Sequence, residues 1–120
     1  MRAFFDTNIV TDLLRELPAA IAEIARYSKR AISAVTWIEV LVGVPSEDRS
    51  EVEALLTTFE RIDLDETIMR RTVEVRRTSK MKLTDAIIYA SALERGLLFV
   101  TRDTKSLPEG ATGVRVSYTF

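Results

Sequence analysis

The sequence predicts an α/β fold, a three-layer α/β/α sandwich around a central, mainly parallel sheet. Three observations carry this prediction. Short apolar runs of strand character alternate with segments of helical periodicity along the whole chain. The clearest run, Leu97 to Thr101, follows directly on a helix and is apolar without alternation, as expected of a parallel strand covered on both faces. No repeat, linker or low-complexity tract interrupts the 120 residues, so one domain over residues 1–120 with one sizeable core is expected.

Arg2 to Phe5 reads as a short strand, because its apolar run stops at the polar turn Asp6-Thr7-Asn8. Ile9, Val10, Leu13, Leu14 and Leu17 then recur at helical spacing, and Pro18 breaks that helix and opens another carrying Ile21, Ile24 and Ala25. Ala31 to Ser33 is a brief second strand. From Ala34 to Val44 the sequence is apolar on nearly every face, which predicts a helix that is buried or sits in an interface. Pro45 to Asp48 is a polar break, and Val52, Leu55, Leu56 and Phe59 mark the next amphipathic helix. Ile62 to Leu64 is expected to form a third strand. Asp65 then caps a helix with the stripe Ile68, Met69, Thr72, Val73 and Val75. Thr84 is expected to cap a helix from Asp85 to Arg95 that Gly96 terminates. After Leu97 to Thr101 and a loop from Pro108 to Gly113, the alternating Val114 to Ser117 predicts an edge strand.

Two absences narrow the chemistry. Without cysteine the chain has no thiol nucleophile, disulfide or cysteine zinc site. Without histidine it lacks the commonest general base near neutral pH, which excludes serine–histidine hydrolysis. A hydrolase of this composition would activate water with a hard cation held by oxygen ligands, Mg²⁺ or Mn²⁺. The net charge of −1 argues against nonspecific coating by nucleic acid, so any such contact needs a local patch. No apolar stretch reaches the ~20 residues that span a bilayer, and a cytoplasmic protein without membrane insertion is expected.

Four carboxylates fall where separate segments of a parallel α/β sheet come together. Asp6 and Asp103 each follow a strand, the edge at which such sheets bind ligands. Glu39 is the one charged residue of the apolar helix, where an unpaired carboxylate is costly to bury. Asp85 stands in the first turn of its helix. Each also has a plain structural use: helix-start acids for Asp6 and Asp85, a turn for Asp103. Four carboxylates gathered together repel one another unless divalent metal neutralises them. Asn8, Ser33 and Thr101 are candidates for orienting the carboxylates or water, and equally for capping and strand-end hydrogen bonds.

Four motifs in order, Asp6-Thr7-Asn8, Ser33 to Glu39, Lys82 to Ala90, and Leu98 to Asp103, together resemble the PIN-domain family, and within it the VapC-type toxins of toxin–antitoxin pairs. The resemblance runs from the first strand to about Leu107. It implies an Mg²⁺- or Mn²⁺-dependent endoribonuclease, a homodimer, and a cognate antitoxin as inhibitor. By position it makes Asp6, Glu39, Asp85 and Asp103 the acidic quartet, with Asn8 and Thr101 as supporting polar positions.

A basic run offers the local patch. Arg70, Arg71, Arg76, Arg77, Lys80 and Lys82 precede Asp85 with Glu74 as the only intervening acid, and they suit either an RNA backbone or a solvated helix face. Arg102, between Thr101 and Asp103, suits support of the acids or contact with phosphate. A dimer is also expected from the apolar surplus of the helices around Trp37 and from Val52 to Phe59. Two rival readings stand beside the nuclease. A receiver-like phosphoacceptor domain would need an aspartate ending a central mid-chain strand and a lysine closing a late one, and neither is evident. A catalytically inactive PIN-fold binding module should have lost carboxylates, and all four are present.

Overall fold

The computed structural model describes residues 2–118. Five parallel strands form one sheet in the order β3-β2-β1-β4-β5. The strands are β1 (Arg2–Phe5), β2 (Lys29–Ser33), β3 (Glu60–Ile62), β4 (Leu98–Thr101) and β5 (Val114–Val116). The helices are α1 (Thr7–Leu14), α2 (Pro18–Ala25), α3 (Ala34–Val42), α4 (Arg49–Leu56), α5 (Glu66–Thr78) and α6 (Leu83–Arg95). A short 3-10 turn, Ser46–Asp48, leads into α4.

Strand alternation divides the core between the two faces of the sheet. Phe4, Ala31 and Phe99 point to one face and pack with Ile68, Val75, Ile88 and Tyr89 of α5 and α6. Ala3, Phe5, Ile32 and Val100 point to the other and meet Ile9, Val10, Ile24, Val40 and Leu56 of α1 to α4. The expected three-layer sandwich is therefore present. β1, at the centre of the sheet, is buried from Ala3 to Phe5.

Several local expectations shift. The third strand is Glu60–Ile62, not Ile62 to Leu64, because pairing with β2 brings Ile62 opposite Ser33 and into the core, while Leu64 is left exposed beyond the strand. The cap of α6 is Lys82, not Thr84. The Ala86 N–H already donates to the Lys82 carbonyl at 2.8 Å, and Thr84 lies exposed inside the first turn. The helix around Trp37 is not buried on every face: Ile38, Glu39 and Val42 are exposed. Gly96 ends α6 at φ 64°, a left-handed conformation that glycine adopts without a Cβ penalty. No described helix is long and apolar enough to cross a membrane.

Candidate active site

Parallel pairing puts every strand's carboxyl end at one edge, and the acids gather there. The Asp6 N–H donates to the Val100 carbonyl at 3.0 Å, extending the β1–β4 ladder by one residue and fixing the position of Asp6. The same residue caps α1, its Oδ1 accepting from the Thr7 N–H at 2.8 Å. Its Oδ2 accepts from the Thr101 hydroxyl at 2.8 Å and from the Asn8 amide at 3.4 Å, and Asn8 also donates to Thr101 Oγ1 at 3.2 Å. Asn8 and Thr101 thus both hydrogen-bond the Asp6 carboxylate and each other.

Asp6, Glu39, Asp85 and Asp103 line one hollow of about 330 Å³ together with Thr7, Asn8, Thr11, Arg15, Arg102 and Ser106. All four sequence-predicted acids are therefore at one place, each delivered differently. Asp85 enters half-buried from the first turn of α6, whose dipole favours an acid there. Glu39 reaches in from α3, and its Oε1 accepts from the Thr7 hydroxyl at 2.9 Å. That hydroxyl has one proton, so the 2.8 Å contact between Thr7 and the fully buried Thr36 has Thr36 as donor. Asp103 is the most loosely committed: it is exposed, and its Oδ1 accepts from the Lys105 N–H at 3.0 Å.

Electrostatics single out Asp6. Burial raises its carboxyl most, the hydrogen bonds from Thr101 and Thr7 pull it back, and the charges of Asp85 and Glu39 push it up again. The result lies at about 6 against an ordinary 3.8. Among the described residues no arginine or lysine forms an ion pair with it. Among the described residues no three acidic side chains converge closely enough to make a ready-formed metal cage. The chemistry of the lining nonetheless fits a hard divalent cation: its carboxylates are all oxygen donors, and Asn8 Oδ1 is a buried acceptor without a donor.

Other predicted residues lie elsewhere or do other work. Ser33 caps α3, its Oγ accepting from the Val35 N–H at 3.0 Å, and is not part of the hollow. None of Arg76, Arg77, Lys80 and Lys82 lines it. Arg76 donates to the Met81 carbonyl at 2.7 Å, while Arg70 and Arg71 pair with Glu66 and Glu94. Arg102 does line the hollow, but its Nε is held at 2.7 Å by Asp12, a fully buried carboxylate that also accepts from the Tyr118 hydroxyl at 2.8 Å. Sequence reasoning missed Asp12, although its place three residues after Ile9 on the apolar stripe of α1 was a signal. It also missed Thr7, Thr11, Arg15 and Ser106, which no periodicity marks.

Comparison with known proteins bears on the family and the fold. The PIN domain model matches residues 3–110. A chain of a toxin–antitoxin complex from Klebsiella pneumoniae is 37% identical, with a TM-score of 0.92 over 98% of this chain and 99% of that one. A chain of DNA-bound VapBC from Salmonella typhimurium superposes at a TM-score of 0.79, covering 96% of each chain at 23% identity. A chain of FitAcB from Neisseria gonorrhoeae does so at 0.74, covering 87% of this chain and 89% of that one at 22% identity. No curated protein matches in sequence. With a family match over most of the chain and a full-length relative of the same fold, the chain belongs to the PIN domain family.

Proposed function

We propose that this chain is a cytoplasmic metal-dependent endoribonuclease, the toxin of a type II toxin–antitoxin pair. The observation that carries the reading is Asp6. It is a half-buried carboxylate with no cationic partner, flanked by Asp85 and Glu39 at the carboxyl edge of a parallel sheet. Such a carboxylate is costly unless something positive meets it. The relative from Klebsiella pneumoniae comes from a toxin–antitoxin complex, which supports an antitoxin as partner.

In this reading Asp6 and Asp85 are the principal ligands for Mg²⁺ or Mn²⁺, with Glu39 and Asp103 completing the set. The bound ion would supply a nucleophilic water at neutral pH and charge neutralisation at the phosphodiester. The chain's own work is orientation. Thr101 and Asn8 hold Oδ2 of Asp6, the Thr7 N–H holds Oδ1, and the Thr36–Thr7 hydroxyl pair aims Glu39. Ile38 and Val42, 55% and 81% exposed on α3, give a homodimer an apolar contact surface.

The test pairs cleavage with folding. RNA cleavage should require Mg²⁺ or Mn²⁺ and stop in excess chelator. Asp85→Asn should abolish it while thermal unfolding without metal changes by less than ~1 kcal/mol, because asparagine keeps the side-chain volume and a carbonyl oxygen. Cleavage retained by the folded variant would remove Asp85 from the site, and cleavage by metal-free protein would remove the ion.

A further inference from the structure

A polymer that crosses the acid hollow must leave it, and on one side the surface stays open. A second hollow of about 390 Å³ runs between α1 and α3, and it shares Thr11, Arg15 and Glu39 with the first. Its other lining is aliphatic: Leu14, Val40 and Val44, with Gly43 at the end of α3. Two features of this extension serve no purpose in the fold. Arg15 makes no side-chain hydrogen bond or ion pair with another described residue, whereas Arg102 across the acid hollow is held by Asp12. Gly43 is also not required by the backbone. Its φ of −84° suits any residue, and an added Cβ would meet only the carbonyl oxygens of Val40 and Glu39, at 3.7 and 4.0 Å. A side chain is missing where packing would tolerate one, and the result is an open channel.

We propose that this channel is the subsite for the nucleotide next to the scissile phosphate of the RNA. Arg15 takes that nucleotide's phosphate, the wall of Leu14, Val40 and Val44 takes the face of its base, and the bare Cα of Gly43 keeps the channel open. The proposal rests on the nuclease reading and adds a contact for its substrate beyond the four acids. The channel lining has no aromatic ring for stacking and, besides Arg15, which takes the phosphate, only Thr11 and Glu39 have side chains that can hydrogen-bond a base edge, so discrimination between bases at this position is weak. An unpaired guanidinium beside a carboxylate-lined hollow suits a phosphate that must be held close to those carboxylates. A peptide from a protein partner is the competing occupant, and the cation favours the phosphodiester over it.

Gly43→Leu is the decisive variant, assayed on an RNA oligonucleotide and on bis(p-nitrophenyl) phosphate, a diester small enough to occupy the acid hollow alone. We expect kcat/KM on RNA to fall at least about tenfold, chiefly through KM, with the small diester unchanged within about twofold. Arg15→Gln, on an exposed residue whose loss spares the fold, should lower RNA cleavage similarly and reduce the log–log salt slope of RNA binding by about one. If the wild type cleaves RNA while both variants stay within twofold of it and the salt slope is unchanged, the subsite is overturned and the nuclease stands. Equal losses on both substrates overturn it too, as does loss of partner inhibition with RNA cleavage intact, which would assign the channel to a peptide. A wild type inactive on both substrates ends the nuclease reading and the subsite with it. Should Gly43→Leu fail to fold, Arg15→Gln and its salt slope decide.

Discussion

Asp12 and Glu23 are buried and Asp6 is half-buried, and the two kinds of carboxylate are treated in different ways. Asp12 and Glu23, on α1 and α2, each receive one arginine and one tyrosine. Arg102 and Tyr118 close on Asp12, and Arg115 and Tyr27 close on Glu23 at 2.7 and 2.8 Å. Asp6 receives one hydroxyl, two amide N–H groups and the fields of two other acids, and no arginine. For Glu23, burial alone would raise the carboxyl, but the hydrogen bonds from Arg115 and Tyr27 outweigh it and hold the group below its ordinary value. For Asp6 the balance runs the other way. Asp12 and Glu23 are each neutralised by an arginine while Asp6 is not, and that contrast marks the acid hollow as a place prepared for a positive charge from outside.

Breaking the first kind of site should have the largest effect. Asp12→Ala strips Arg102 and Tyr118 of a shared partner and should cost about 3 kcal/mol in thermal or urea unfolding, as removal of one member of a buried pair does. A cost under about 1 kcal/mol would mean that the pair is solvated and the contrast with Asp6 is weaker than drawn.

The second kind should respond with the opposite sign. The folded protein holds the Asp6 proton up to about pH 6, whereas the unfolded chain releases it near 3.8, so ionisation works against the folded state. Stability from this group falls as pH rises from 3.8 to about 6, and metal-free Asp6→Asn should gain about 1–2 kcal/mol at pH 7 and nothing near pH 3.5. Asparagine is as good an N-cap as aspartate, so the cap on α1 survives. Denaturant titrations of both proteins at the two pH values measure this, and a stability loss at pH 7 would contradict it.

Glu23 supplies the smallest and sharpest counterpart. Its depressed carboxyl contributes stability above the ordinary value of 4.5 that is lost as pH falls through the folded value. Glu23→Gln should therefore flatten the acid limb of the stability curve and cost about 1 kcal/mol at neutral pH. An unchanged acid limb would show that Arg115 does not hold the charge.

The same division between groups with and without partners explains what could be read from sequence. The layers, the parallel sheet and all four acids were legible, because alternating apolar runs and residues at strand ends are set by neighbours one to four positions away. The limits of β3 were not, since they depend on which residue of β2 lies opposite Ile62. The Asp12–Arg102 and Glu23–Arg115 pairs join residues 90 and 92 positions apart, and nothing local to α1 or α2 announces them. The basic run from Arg70 to Lys82 left two readings open for a related reason. Density of charge along the chain says nothing about which face a helix presents, and several of these side chains are engaged on α5, α6 and the Met81 carbonyl.

The placement of β1 at the middle of the sheet has a consequence for the order of events during synthesis. β1 is flanked on one side by β2, which follows it within thirty residues, and on the other by β4, which is made long after both. Asp6 takes its backbone partner from Val100 and its hydroxyl from Thr101, 95 positions later. A nascent or prematurely ended chain can thus carry Asp6, Glu39 and Asp85 and still have no hollow, because the loop that creates it closes only once β4 is available, at the entropic cost of a long-range contact. Assembly of the site is in effect a proofreading of length: only chains that run past residue 101 can acquire it.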